Sequence, residues 1–272
     1  MGKKGICVIC GTPGKLTRDH VPPRGTNPPS DVDVRTLGEY LGSDFAKVRR
    51  LRGGFNVPSI CGTCNNSRLG QQYDPELKSF TEAFALWVRA GFEQRLVLPA
   101  APEFTCRPLR IIKAIVGHLL AAERRGDRNA PPRDASMIRT MREFFLDFDA
   151  GLPPTLEVFA WPYPSHLVVI CRGIGFLQPG GATLVCDVLK FFPVAYLVAF
   201  DRRASISVNL PRLNLPAALG AQDVVELQLD FRTRQRVNWP EQPDPDEMIL
   251  LNDAMTIVAE PRRQGASQLG AA

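Results

Sequence analysis

The sequence lacks any hydrophobic run long enough to cross a bilayer, which takes about 20 consecutive apolar residues. It also lacks internal repeats, and residues 1–5 leave no room for a secretory signal before the first cysteine motif. The seven cysteines are an odd number, and three of them lie in apolar settings, which predicts buried free thiols: Cys106, Cys171 and Cys186. This pattern is typical of a reducing compartment, so we expect a cytoplasmic protein without a membrane partner.

The net charge is distributed unevenly along the 272 residues. Residues 1–74 hold 11 Lys and Arg against 6 Asp and Glu, whereas the remainder holds 22 of each, so the first segment accounts for the whole formal charge of +5. An excess of basic residues favours a nucleic-acid partner, because the phosphate backbone binds cations. The alternative is a chance excess on a solvated surface.

Two Cys-x-x-Cys pairs stand in turn-rich contexts, one at Cys7 and Cys10 and one at Cys61 and Cys64. One such pair could be a redox motif. Two pairs supply the four soft ligands of a closed tetrahedral site, which predicts one structural Zn²⁺. The long segment between them carries the only histidine of the region, His20.

The order of residues around this frame resembles the HNH endonucleases, the ββα-metal finger nucleases with a flanking four-cysteine zinc site. The resemblance rests on Asp19-His20-Val21-Pro22, on Asn56 five residues before Cys61, and on Asn65 directly after Cys64. It covers about the first quarter of the chain. The span from His20 to Asn56 is longer than in minimal members of the family, and the third position is Asn rather than His.

The resemblance implies a metal-dependent endonuclease that hydrolyses phosphodiester bonds in nucleic acid, with DNA as the expected substrate. It implies His20 as general base, Asp19 and Asn65 as ligands of a catalytic Mg²⁺ or Mn²⁺, and Asn56 as the residue that fixes the loop opposite His20. The residue types suit this chemistry, because hard cations prefer oxygen ligands and histidine titrates near neutrality. We expect a carbonyl to hold the other nitrogen of the His20 ring.

Each of these residues also has a simpler interpretation. Asp19 is a candidate turn residue, Asn65 and Asn66 are candidate helix caps, and His20 is a candidate surface histidine. For the whole protein, the alternatives are a non-catalytic, zinc-containing nucleic-acid-binding module and a zinc-stapled protein-interaction domain.

The densest basic cluster of the chain contains Lys47, Arg49, Arg50 and Arg52. It lies at the end of a helix predicted over residues 36–51 from apolar residues at helical spacing. The cluster is interpreted as a nucleic-acid-binding edge. The alternative is a solvated helix end, where cations interact favourably with the C-terminal dipole.

The remainder predicts helices followed by strands. Helical spacing covers residues 74–92, 109–120 and 134–149, with Asp74 and Asp134 as candidate caps and His118 as a structural or exposed residue. Strands are predicted over residues 155–161, 167–172, 183–192, 194–200, 205–210 and 224–231, and a last helix over 246–258.

The expected fold class is therefore α+β. We expect a zinc-supported ββα-metal (HNH) module over residues 1–74, and an α+β domain of unknown role over residues 75–260. That second domain combines a helical segment with a mainly antiparallel β region, and it is a candidate site for a protein partner. A disordered tail is predicted over residues 261–272.

Overall fold

A computed structural model describes residues 3–26, 30–42, 48–93, 101–123, 125–177, 183–200, 210, 212–213, 215–216, 218–230, 238–242, 248–251 and 255–262. The strands are β1 Lys4–Ile6, β2 Pro13–His20, β3 Val32–Arg35, β4 Arg49–Leu51, β5 Asn56–Cys61, β6 Glu103–Cys106, β7 Leu156–Pro162, β8 Val168–Leu177, β9 Thr183–Phe191, β10 Val194–Phe200, β11 Val225–Gln228, β12 Met248–Leu250 and β13 Thr256–Pro261. The helices are α1 Leu37–Leu41, a π-helix Thr63–Tyr73, α2 Asp74–Glu93, α3 Pro108–Ala121 and α4 Ser136–Leu146.

Three antiparallel sheets organise the described residues. A small sheet has the strand order β1-β2-β5, and a large sheet has the order β4-β3-β13-β8-β9-β10-β7, with β12 added to β8. The third sheet pairs β6 with β11. The predicted α+β class with antiparallel sheets is confirmed. Among the described residues, no helix is both long and apolar enough to span a membrane.

The helix predicted over residues 36–51 is wrong at its C-terminal end. Among the described residues of this segment, only Leu37–Leu41 is helical, started by a capping box in which Thr36 and Glu39 each bind the backbone of the other. Arg49–Leu51 forms strand β4 and pairs with β3, which itself pairs with β13. Pairing within a sheet therefore overrides the helical spacing of this segment. Residues 43–47, including Lys47, lie outside the described part.

The later segments follow the predicted pattern with one exception. Helices α2, α3 and α4 and strands β7 to β11 are confirmed, whereas the helix predicted over residues 246–258 is wrong. The described parts of that segment are strand β12 and the start of β13, where the β-branched run Thr256-Ile257-Val258 suits a buried strand. Most of the strand predicted over 205–210, and residues 263–272 of the predicted tail, lie outside the described residues.

Asp134 does not cap α4, whose N-cap is Ala135. Val32–Arg35 and Arg49–Leu51 belong to the large sheet, so these two strands of the segment 1–74 share a sheet with strands from the segment 75–260. The division of the chain into these segments stays a prediction.

Helix α3 lies in the middle of the main hydrophobic core. Every residue from Pro108 to Ala121 is buried except Arg110, including Lys113 and His118. A Cβ atom at Gly117 would lie 2.7 Å from Cδ2 of Leu69 and would meet the ring of Phe145, so only glycine allows this close packing. The close approach places the next residue, His118, against the N-terminal sheet and the start of α2.

Candidate active site and metal centre

The four cysteines of the two Cys-x-x-Cys pairs are brought together. A turn after β1 holds Cys7 and Cys10, because the amide of Gly11 donates to the Cys7 carbonyl. Cys61 ends β5, and Cys64 lies in the first turn of the π-helix. The four sulfur atoms all lie within 4.8 Å of one another.

The spacing of these sulfur atoms fits a tetrahedral metal. Zn–S bonds of about 2.3 Å place the sulfurs of such a site about 3.8 Å apart. The Sγ atoms of Cys10 and Cys61 are 3.6 Å apart. A hydrogen bond from Cys64 lowers the pKa of Cys7 to about 4, whereas the same bond raises the pKa of Cys64 and burial raises the pKa of Cys61. The four cysteines could therefore hold a structural metal such as zinc.

Asp19, His20, Asn56 and Asn65 all line one cavity of about 760 Å³. Strand β2 ends with Asp19 and His20, and β5 begins with Asn56, which is the Cα partner of His20 in the antiparallel register. The π-helix that follows β5 brings Asn65 to the same cavity. Residues that are distant in the sequence thus share one wall beside the cysteine cluster.

Asn65 connects the π-helix to strand β2. Its Nδ2 donates to Thr17 Oγ1 at 3.0 Å and to the Arg18 carbonyl at 3.1 Å. These bonds use the amide nitrogen and leave Oδ1 as the remaining acceptor. The cap interpretation of Asn65 and Asn66 is wrong, because both lie inside the helix and its N-cap is Gly62.

His20 is partly buried and bonded to Arg24. Its Nε2 lies 3.2 Å from Arg24 Nε and 3.1 Å from Arg24 Nη2. A guanidinium only donates, so Nε2 accepts and the neutral ring carries its proton on Nδ1. Burial, and next the charge of Arg24, lower the pKa of His20. The carbonyl expected on the other ring nitrogen, Nδ1, is not found among the described residues, and Arg24 instead binds Nε2.

Asp19 is buried, and its carboxylate contacts a histidine from helix α3. His118 Nδ1 donates to Asp19 Oδ2 at 2.8 Å, and His118 Nε2 donates to Asp74 Oδ1 at 2.9 Å. Asp19 is 3% exposed and His118 is 0% exposed, so the turn interpretation of Asp19 and the exposed interpretation of His118 are both wrong. Asp74 is not a cap either, because the π-helix runs into α2 at this residue.

The charge of His118 follows from its two carboxylate partners. Burial alone would lower the pKa of His118, but Asp19 and Asp74 outweigh it and raise the pKa to about 10. Burial raises the pKa of Asp19, and His118 opposes that shift. The group is an imidazolium held between two carboxylates, one of them buried and the other, Asp74, on the cavity wall.

Four cationic side chains also line this cavity: Arg18, Arg24, Arg52 and Lys78. Of the three described residues of the predicted basic cluster, Arg49, Arg50 and Arg52, only Arg52 lines this cavity. Arg49 lines a different cavity, and Arg50 makes an exposed ion pair of 3.8 Å with Asp33. The helix-dipole interpretation of the cluster is wrong, since Arg49 and Arg50 lie on strand β4.

Sequence reasoning missed His118 and Asp74 as parts of this site. The sequence held one indication of a role for His118: it is a polar residue directly after Gly117, in a helix that is otherwise almost wholly apolar. Among the described residues, the four cysteines are the only group of three or more Cys, His, Asp or Glu side chains close enough to share a metal. A cation at Asp19 and Asn65 would therefore have one carboxylate and one amide oxygen from the protein.

Comparisons of the chain with protein-family models, with curated proteins and with solved structures found no match.

Proposed function

We propose that the protein is a metal-dependent endonuclease of the HNH type that hydrolyses phosphodiester bonds in nucleic acid, with DNA as the expected substrate. One observation carries the proposal: Asp19, His20, Asn56 and Asn65 line a single cavity next to the four-cysteine cluster. The proposal predicted these residues from three separate sequence positions. An unrelated fold would have no reason to bring them to one surface.

The local architecture supports the same proposal. Strands β2 and β5 are antiparallel, and the helix after β5 packs against them. This is the order of elements expected for a ββα-metal module, with the candidate residues at the ends of the strands and in the first turn of the helix. The cysteine cluster fastens the start of β2 to the start of that helix, so a bound zinc would hold the three elements in place.

The cavity offers oxygen ligands for a hard cation. Asp19 uses Oδ2 for His118 and retains Oδ1, while Asn65 retains its carbonyl oxygen. A Mg²⁺ or Mn²⁺ bound to these atoms would stabilise negative charge on the phosphate and the leaving oxygen. His118 fixes the orientation of the Asp19 carboxylate, because the imidazole itself is held from its other side by Asp74.

His20 has the protonation state that a general base needs. Its pKa is lowered, so the ring is neutral at pH 7, and the tautomer places the lone pair on Nε2. Arg24 occupies that lone pair in the absence of substrate. A phosphate oxygen attracts a guanidinium more strongly than a neutral ring does. A bound phosphate therefore draws Arg24 away and leaves Nε2 available to take a proton from water.

The direct test is cleavage of supercoiled plasmid with added Mg²⁺ or Mn²⁺. Replacing His20→Ala should lower the rate by about a hundred- to ten-thousand-fold, as is typical for loss of a general base. The zinc content and the affinity for DNA should stay unchanged. The matched control is His166→Ala, because His166 is exposed and is not among the residues that line the cavity. Equal cleavage by the His20→Ala variant and the wild type would refute the proposal.

A second pair of variants tests the metal ligand. Asn65→Ala should stop cleavage, whereas Asn66→Ala should change it little, because Asn66 lies on the same cavity but is exposed and outside the proposed ligand set. The reverse result would contradict the assignment of Asn65. DNA binding by the wild type without cleavage under any divalent cation would instead favour the non-catalytic nucleic-acid-binding module.

A further inference from the structure

A second cavity, of about 300 Å³, lies against the small sheet on a different wall from the candidate active site. Its floor is apolar and includes Ile6, Leu16 and Val57. Four cationic side chains and one carboxylate also line it: Lys3, Arg49, Arg125, Arg128 and Glu123. A concave apolar surface with a few charged groups at its wall is typical of a site for a small anionic ligand.

Arg125 is the most informative residue of this cavity. Its side chain is only 8% exposed and is held by Glu123, which accepts from Nε at 2.9 Å, and by the carbonyl of Ala130, which accepts from Nη1 at 2.8 Å. Its Nη2 is buried and has no hydrogen-bond partner in the described part of the chain. A buried donor without an acceptor is unfavourable, and Arg125 lines this cavity, so its guanidinium is a candidate partner for an anionic oxygen there.

The second cavity adjoins the candidate active site. Asn56 lines both cavities, and the basic residues around strand β4 are divided between them, since Arg49 lines the second cavity and Arg52 the first. A chain of phosphates that passes Arg52 would therefore meet Arg49 next. This arrangement connects the two cavities through one short stretch of backbone.

We propose that the second cavity binds a nucleotide unit of the nucleic-acid chain that flanks the cleaved phosphate. The phosphate would lie against Arg125, Arg128 and Arg49, and the base would lie on the apolar floor. The placement next to a cleaved bond rests on the proposed function, but the binding of a nucleotide does not. The phosphate would contact the arginines, and the uncharged base would contact only the apolar floor. Affinity should therefore require both the phosphate and the base.

The test uses deoxythymidine 5′-monophosphate, measured by calorimetry with the full chain and no added Mg²⁺ or Mn²⁺. Saturable binding of the nucleotide is expected. Thymidine and inorganic phosphate should each bind at least about tenfold more weakly, since thymidine lacks the phosphate and inorganic phosphate lacks the base. Binding of thymidine as tight as that of the nucleotide, or no saturable binding of the nucleotide, would overturn the proposal.

Two exposed arginines provide a matched pair of variants, Arg49 on β4 and Arg89 on α2. Arg49→Gln should weaken nucleotide binding by about tenfold, because it removes a charge from the cavity wall. Arg89→Gln should leave it unchanged, because Arg89 is not among the residues that line either described cavity. Arg125→Gln should weaken binding further. If that buried substitution prevents folding, the comparison of the two variants at exposed arginines still tests the site. Equal nucleotide affinities of those two variants would refute it.

The outcomes separate this inference from the proposed function. If the nucleotide binds in an Arg49-dependent way and plasmid is never cut, the second cavity stands and the endonuclease proposal fails. If plasmid is cut in a His20-dependent way and the nucleotide does not bind, only the second cavity is refuted.

Discussion

His118 is the residue whose replacement tests the central contact of the site most directly. The imidazolium lies between Asp19 and Asp74 at 2.8 and 2.9 Å, and it has no exposed surface. In the His118→Gln variant, a neutral amide replaces the charge and cannot reach both carboxylates in the same way. Removing one partner of a buried ion pair costs about 3–5 kcal/mol, because it leaves the other charge buried and unpaired.

The same contact predicts how stability depends on pH. The pKa of His118 is about 10 in the folded protein, against 6.5 for the free side chain. A raised pKa gives stabilisation that is complete below pH 6.5 and declines as the pH rises toward 10, by about 5 kcal/mol in all. The wild type should therefore lose stability across this range, and the His118→Gln variant should lose less.

Urea unfolding followed by tryptophan fluorescence measures both effects. The control is His166→Gln, which makes the same chemical change at an exposed histidine and should shift the free energy of unfolding by less than about 0.5 kcal/mol. The reasoning is refuted if His118→Gln costs less than about 1 kcal/mol at pH 6.5, where the wild-type contact is complete. It is also refuted if both proteins show the same dependence on pH.

Three further predictions concern the cysteine cluster, the base and the core. Cys61→Ser should lower the zinc content from about one ion per chain and should unfold the N-terminal part, because metal binding and folding are coupled; unchanged metal analysis would contradict the cluster. Arg24→Gln should raise the pKa of His20, so the acidic limb of the pH–rate profile for cleavage should move to higher pH. If that limb stays at the same pH, the contact between Arg24 and His20 does not set the pKa. Gly117→Ala should cost about 1–3 kcal/mol through overpacking against Phe145, and an unchanged urea midpoint would show that the core can adjust.

The parts of the site that the sequence predicted are those encoded at short range. The cysteine pairs and Asp19-His20 are recognisable because metal binding and acid–base chemistry need particular residue types at fixed spacing. Helices α2 and α3 are recognisable because their apolar residues recur with the period of a helix. None of these features depends on knowing which distant segment lies opposite.

The errors in the strands and at the histidine of the site involve distant partners. Residues 49–51 and 256–258 are strands because β3, β13 and β8 pair side by side, and no local pattern shows that pairing. His118 was missed for the same reason. Its partner Asp19 lies 99 positions away and its partner Asp74 lies 44 positions away, so neither could be read from the helix that carries the histidine.

The pairing of β3 with β13 sets an order for assembly during synthesis. Val34 is made soon after Asp19 and His20, but its partner Ala259 leaves the ribosome only after every other described strand of the large sheet has been made. The cysteine cluster can close once Cys64 has emerged, whereas one edge of β3 stays without its partner during all the intervening translation. An edge of this kind invites pairing with other chains. A ribosome stalled before residue 256 would therefore present a nascent chain prone to aggregate, even with its four cysteines already together.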